Sequence, residues 1–316
     1  MQKKKWIFDS IILLYKRSLI MEWIAEIQKA INYIEDHLLE DINFEEVAKN
    51  LFISSFEFHR AFGFLTGITP TTYIRNRRLS LAAKEIIETN HKIIDIALKY
   101  CYETSESFTK AFTRFHNVSP KNARNNPSKL VMFNPFSIKV TIEGGSMNYK
   151  IIDIKDQKFL VCSKSFDNEI VNDLSNHDIP DFWGECEENK ILDTMFSLRK
   201  EDKNLLYGLC NSTSKKGEKC FDYGIGILLD EDTTSLSLDE IKKLNLEVWK
   251  VPSSKYVVFE CVGEDPKIIK ETWSKFYKEF LPQMGYTAKN AIDYEVYYGS
   301  TRPDLFCELY IPIFKK

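Results

Sequence analysis

Glycine and proline are scarce in this chain of 316 residues, 12 and 10 in number, which excludes collagen-like and low-complexity architectures. Cysteine occurs seven times (Cys101, Cys162, Cys186, Cys210, Cys220, Cys261, Cys307) but never as Cys-x-x-Cys, so neither a disulfide framework nor a zinc ribbon is indicated. Scattered free thiols fit a reducing cytoplasm. No apolar run reaches the ~18–20 residues of a membrane helix, so no membrane contact is expected. Five histidines (His37, His59, His91, His116, His177) show no metal-ligand spacing. There is no Gly-x-Ser-x-Gly elbow and no Gly-x-x-x-x-Gly-Lys phosphate loop, and Gly224-x-Gly226 alone is too short to cradle a phosphate. The reading is therefore a non-enzyme with no catalytic residue, metal or cofactor.

What is present is length and unevenly placed charge. At ~100–200 residues per domain the chain has room for two cores. Residues 60–127 carry 11 basic against 5 acidic residues, whereas 147–316 carry 23 against 30. The first balance suits a polyanion-binding surface, and the second sooner attracts cations. Residues 1–20 combine Lys3-Lys4-Lys5 with an apolar run from Trp6 to Tyr15, but no small-residue cleavage site follows and Lys16-Arg17 interrupts. They are expected to be a dispensable extension.

Residues 45–70 and 94–120 repeat one another. Val47-Ala48 matches Ile96-Ala97, Ser54 matches Thr104, Phe58 matches Phe108, Ala61-Phe62 matches Ala111-Phe112, and Pro70 matches Pro120. Each copy reads as helix, turn, helix, with Ser54 or Thr104 as N-cap of the second helix and Glu57 completing a capping box in the first copy. One residue is added in the second turn. The other face of each second helix is expected to be exposed: Ser55, Phe56, His59 and Arg60 in the first copy, Ser105, Glu106, Thr109 and Lys110 in the second. Residues at the start of such a helix reach base edges and phosphates in a major groove. The helix between the copies clusters Arg75, Arg77 and Arg78. It is expected to hold the two units so that they enter grooves about one turn, ~34 Å, apart.

The stretches TGITPTTYIRNRRLSLA (66–82) and IIDIALKYCYETSESFTKAFTRFHNVSPKNAR (93–124) resemble the AraC/XylS family of transcription regulators. The resemblance spans 21–127. It departs from the family at Cys101-Tyr102, where Gly-Phe is usual, and at Ala123-Arg124, where Tyr-Arg is usual. It implies double-stranded DNA as partner, contact with RNA polymerase, and base or phosphate contacts from Ser55, Phe56, His59, Arg60, Arg75, Ser105, Glu106, Thr109 and Lys110.

Residues 128–146, with Pro127, Pro135 and Gly144-Gly145 as breakers, are expected to be a linker. Beyond them the order β-β-α-β-β occurs twice, predicting an α+β domain over 147–316 with two pseudo-symmetric halves and a central cleft. Along the strand Ile292–Tyr298, Asp293, Glu295 and Tyr297 share one face, and Tyr294, Val296 and Tyr298 the other. The runs VPSSKYVVFECVG (251–263), DYEVYYG (293–299) and CELYIPI (307–313) resemble the GyrI-like effector-binding domain of Rob-type regulators. That resemblance implies a ligand cleft lined by Glu295 and Tyr297. Phe182, Trp183, Tyr223 and Trp249 are candidates to complete it, each weighed against ordinary core, and Glu308 with Tyr310 is a second choice weighed against a cross-sheet ion pair.

The expected protein is thus multidomain: an all-α double helix-turn-helix domain followed by an α+β domain with pseudo-twofold ββαββ repeats. Its expected function is ligand-responsive regulation of transcription in the cytoplasm, more as activator than repressor, with an amphipathic, cationic or neutral aromatic effector. Two alternatives stay open on the residues. One is a GyrI-like hydrolase fused to a DNA-binding module, with Glu295 as general base. The other is a regulator whose C-terminal domain binds a protein.

Overall fold

The computed structural model describes residues 25–125, 130–138, 148–172, 176–198, 205–214, 216–217, 219–229 and 238–315. The 1–20 extension and the breakers Pro127 and Gly144-Gly145 lie outside them.

Helix α1 (25–36) buries Ile27, Ile31 and Ile34, one face at i, i+4, i+7. It packs on the first helix pair, α2 (Phe44–Asn50) and α3 (Ser55–Thr66). Ser54 caps α3 by accepting from the Glu57 N–H at 3.1 Å, but Glu57 does not reach back to close a capping box, because its carboxylate is taken up by Arg60 and Tyr277. The long helix α4 (Pro70–Glu88) starts on proline and serves both units. Tyr73 packs with Phe58 and Phe62 of the first, while Leu79, Ala83 and Ile86 pack with Phe108 and Phe112 of the second pair, α5 (Ile93–Lys99) and α6 (Ser105–His116). Arg77 does not join a basic surface. It is buried and pairs with Glu35 through two nitrogens, both at 2.8 Å.

The departure at Cys101-Tyr102 leaves the turn intact. Cys101 adopts φ 64°, a left-handed conformation that glycine meets without steric cost, and the Tyr102 ring packs edge-on against Phe108. Cys101→Gly is expected to stabilise the helical region by about 1 kcal/mol, read as a shifted denaturation midpoint at constant slope. No gain would mean that the cysteine relieves its own strain there. Ala123 ends the short helix α7 (Pro120–Ala123) fully buried, and Arg124 donates to the carbonyls of Ile86 and His91, tying the helical region shut.

Part of the expected linker is not a free tether. Over 130–138 the chain lies along the helices: Val131 N donates to His116 Nδ1, Phe133 N to Ser80, Phe136 N to Tyr73 and Ile138 N to Gln28. Phe133 and Phe136 pack on the Tyr73 ring. His116 Nε2 in turn faces the Leu79 carbonyl, and burial holds its pKa below the usual histidine value despite that hydrogen bond.

The C-terminal region is one antiparallel sheet carrying helices. Its first half is β1 (Tyr149–Ile154), β2 (Gln157–Asp167), helices α8 (Asp178–Glu188) and α9 (Ile191–Ser197), β3 (Leu206–Asn211) and β4 (Cys220–Leu229). After α10 (Leu238–Lys243) the second half repeats it. That half comprises β5 (Glu247–Val251), β6 (Ser254–Val262), α11 (Lys267–Lys275), a π-turn Phe276–Phe280, α12 (Leu281–Met284), a short β7 (Tyr286–Ala288), β8 (Asp293–Tyr297) and β9 (Leu305–Lys315). Strand order is β1-β6-β9-β8-β3-β4-β2-β5, with β7 beside β9. The two ββαββ halves thus interlock, each lending its first strand to the other's edge, and they meet at the β3–β8 seam. The expected fold class and the double repeat are what is found. Sequence reading missed α10, β7 and the π-turn.

Candidate effector cavity and nucleic-acid face

Strand β8 places Asp293, Glu295 and Tyr297 toward a cavity of about 360 Å³, within the range of small-molecule sites. Tyr294 and Val296 point into the core on the other side of the sheet. Glu295 lies opposite Gly208 of β3. The Tyr223 hydroxyl on β4 donates to Glu295 Oε2 at 3.1 Å and accepts from Trp183 Nε1 at 3.3 Å. Trp183 also meets the Tyr297 ring edge-on, centroids 5.2 Å apart.

Burial, then the nearby Asp293 charge, push the Glu295 pKa up to about 8, more than the Tyr223 hydrogen bond can offset. Glu295 is thus mostly protonated at neutral pH. Burial also raises Asp293, to about 6, although the Arg60 guanidinium favours its ionised form. A cavity with one ionised and one protonated carboxyl, walled by aromatic rings, suits an amphipathic guest whose charge is positive.

Of the ligand candidates, Glu295, Tyr297, Trp183 and Tyr223 converge on this cavity. Phe182, Trp249, Glu308 and Tyr310 do not. Phe182 is 4% exposed and packs on Phe166 in the core beneath, because it sits a third of a turn from Trp183 on α8. Glu308 is opposite Val296 in the β8–β9 register, so it faces away from Glu295. There it pairs with Lys150 at 2.8 Å and accepts from the Tyr298 and Tyr310 hydroxyls. Trp249 is core as well.

Helix α3, the second helix of the first copy, does not present the expected exposed face. Phe56, His59 and Arg60 were expected on an exposed face, yet they are 2%, 4% and 7% exposed, while Ser55 is half-buried. Helix α3 has a second buried face, since Phe56, Arg60 and Phe64, four residues apart, form one wall of the cavity. Phe56 meets Phe221, Phe64 stacks on Trp273 and Tyr277, and His59 Nε2 lies 3.1 Å from Glu169. Burial would raise Glu169, but its hydrogen bonds with His59 and Thr71 outweigh that and hold it below the usual carboxylate value. Arg60 reaches furthest. It pairs with Asp293 at 2.8 Å and Glu57 at 2.9 Å, donates to the Tyr277 hydroxyl at 3.2 Å, and lies 3.9 Å from the centre of the Trp273 ring.

Helix α6 is different. Glu106 and Lys110 are exposed and Ser105 and Thr109 half-buried, and together with Thr113 and Arg114 they line one shallow surface. Arg114 was missed, although it follows Lys110 by one helical turn. Arg75 is exposed on α4. Asp293 and Trp273 were also missed as cavity residues. Strand alternation placed Asp293 beside Glu295, whereas nothing local marked Trp273.

A family profile described as integron-associated effector binding protein (Cass2) matches residues 136–313, more than half of the chain. The chain belongs to this effector-binding family. A helix-turn-helix profile matches residues 47–126. The right origin-binding protein of Escherichia coli K12 is 25% identical over 93% of this chain and 99% of its own length. An uncharacterised helix-turn-helix transcriptional regulator of Bacillus subtilis, YbfP, is 44% identical over 94 residues, 30% of this chain and 32% of the relative. The transcriptional activator AarP of Providencia stuartii is 34% identical over 94 residues, 30% of this chain and 70% of its own. This Cass2-family chain is therefore a transcription regulator that joins an AraC-type helix-turn-helix domain to a GyrI-like effector-binding domain. Among the described residues no helix is long and apolar enough to cross a membrane, and no three His, Cys, Asp or Glu side chains group as a metal site.

Proposed function

We propose that the protein is a ligand-responsive, sequence-specific activator that acts through RNA polymerase. Its C-terminal domain takes up an amphipathic aromatic compound, cationic in the favoured case. The observation that carries the ligand reading is the pair Asp293 and Glu295 at the floor of an aromatic-walled cavity. A cation entering there meets the ionised Asp293, gains Glu295 as a carboxylate once its proton is expelled, and gains the faces of Trp183 and Trp273, each ring worth ~0.5–2 kcal/mol. The hydrolase alternative finds less support, because the relatives that the chain matches are transcription regulators.

On the DNA side, Glu106, Thr109, Lys110 and Arg114 of α6 form the surface open to a duplex, and Arg75 extends it. Ser55, Phe56, His59 and Arg60 would add the second groove contact once α3 is free. The test is anisotropy with the gene's own upstream duplex and a scrambled one across a salt series. Lys110→Ala with Arg114→Ala is expected to weaken binding at least tenfold and to reduce the slope of log K against log salt by about two. Unchanged affinity and slope would remove α6 from the interface.

A further inference from the structure

The surface of α3 that would enter a groove is the same surface that walls the effector cavity, so the helix cannot serve both at once. The second unit shows how unusual the first is. Fifty positions on, Phe56, Arg60 and Phe64 correspond to Glu106, Lys110 and Arg114, all exposed. Only in α3 has this face become apolar at its ends with one cation between them.

That cation is held as a bound guest would be. Asp293 and Glu57 lie at ion-pair distance, the Trp273 ring at 3.9 Å on one side and the Phe56 ring at 4.8 Å on another, and the Tyr277 hydroxyl completes the set from the π-turn. A guanidinium tolerates burial when each side is partnered in this way.

We infer that Arg60 is an internal occupant of the cavity's cation subsite. Effectors that switch the protein are then aromatic cations whose charged group takes over Asp293 and the Trp273 face and so releases α3 for DNA. A neutral compound of the same shape fills the apolar part of the cavity, away from the two carboxyls, and leaves Arg60 in place. This inference rests on the ligand reading above and adds the coupling to it. A ligand changes DNA affinity only through different affinities for two states, and here the docked state is one in which its site is partly filled.

The test uses the full chain with N-methylquinolinium and its neutral isostere 1-methylnaphthalene, and follows three readouts: probe binding, amide exchange of residues 55–66, and affinity for the upstream duplex. The cation is expected to speed exchange in 55–66 at least tenfold, to leave 105–116 unchanged and to tighten specific DNA binding about tenfold, whereas the isostere does none of these. Asp293→Asn should loosen 55–66 without any probe, and Arg60→Ala should bind the cation more tightly than wild type. Cation binding with exchange in 55–66 unchanged or slowed overturns the internal-occupant assignment and leaves the ligand reading standing. Failure of the cation to bind either wild type or Arg60→Ala sinks the ligand reading, and the coupling falls with it.

Discussion

The affinity of the wild-type protein for N-methylquinolinium is expected to rise by about fiftyfold between pH 6 and 8, more steeply in the lower unit, and to level off above that range. Its physical origin is the proton on Glu295, retained until about pH 8 because burial and the neighbouring Asp293 charge oppose ionisation. A cation prefers the carboxylate to the neutral acid, so below pH 8 its binding expels that proton, and each further unit of acidity costs up to a factor of ten. The groups facing Glu295 do not cancel the trend. Tyr223 and Tyr297 are raised by burial and stay neutral, Arg60 stays charged, and Asp293 adds slope only near pH 6. Glu295→Gln should flatten the profile and weaken the cation at pH 8 while leaving 1-methylnaphthalene unaffected. Isothermal titration across this range decides it, and a flat wild-type profile would place the cation away from Glu295. The same shift has a sign for stability. A carboxyl raised above its ordinary 4.5 binds more protons folded than unfolded, so its contribution is lost as pH climbs from about 4.5 through 8. The melting temperature of Glu295→Gln should therefore depend less on pH than that of wild type.

Gly208→Ala should abolish most ligand binding while sparing DNA binding. A β-carbon at Gly208 would collide with the Tyr223 hydroxyl and with Glu295 Oε2, and would approach Tyr223 Cζ to 3.0 Å. Tyr223 is 4% exposed, so its ring has little room to retreat, and the Trp183–Tyr223–Glu295 chain is broken at its centre. Overpacking of this kind costs roughly 1–3 kcal/mol. That cost falls on folding and lowers the denaturation midpoint, while the displaced Tyr223 and Glu295 are expected to cost the quinolinium probe about tenfold or more in affinity. Gly184→Ala is the control, since a β-carbon there meets nothing within 4 Å. It lies in α8, where alanine favours the helix by up to about 1 kcal/mol. Equal binding by both variants would show that the hydrogen-bonded chain is dispensable.

The two resemblances, the element order and the β8 face could all be read from local pattern, because period-two alternation and an N-cap followed by a helical stripe each span only a few residues. Glu308 could not be placed that way. Its face follows from pairing with Val296, and register between distant strands leaves no trace in either strand alone. Phe182 and Trp183 were separable only by knowing which side of α8 meets the sheet. Docking of α3 had a signal that went unused, namely the contrast between Phe56 and Phe64 and their counterparts Glu106 and Arg114. Read as a helix with one apolar stripe, α3 offered its remaining residues to DNA. Read as a helix with two, it also predicts a second packing partner.

Gly208 and Glu295 are the middle residues of the paired stretches 206–210 and 293–297, so they face each other across the axis that relates the two halves of the sheet. A dimer of identical half-chains would have to place the same residue at both points. Two glutamates would repel across the axis, and two glycines would leave it uncharged. Carrying both halves in one polypeptide removes that obligation: one side supplies the carboxyl and the other yields the space for it. The two carboxyls that line the cavity, Asp293 and Glu295, consequently come from one half alone, opposite Cys210 and Gly208 of the other.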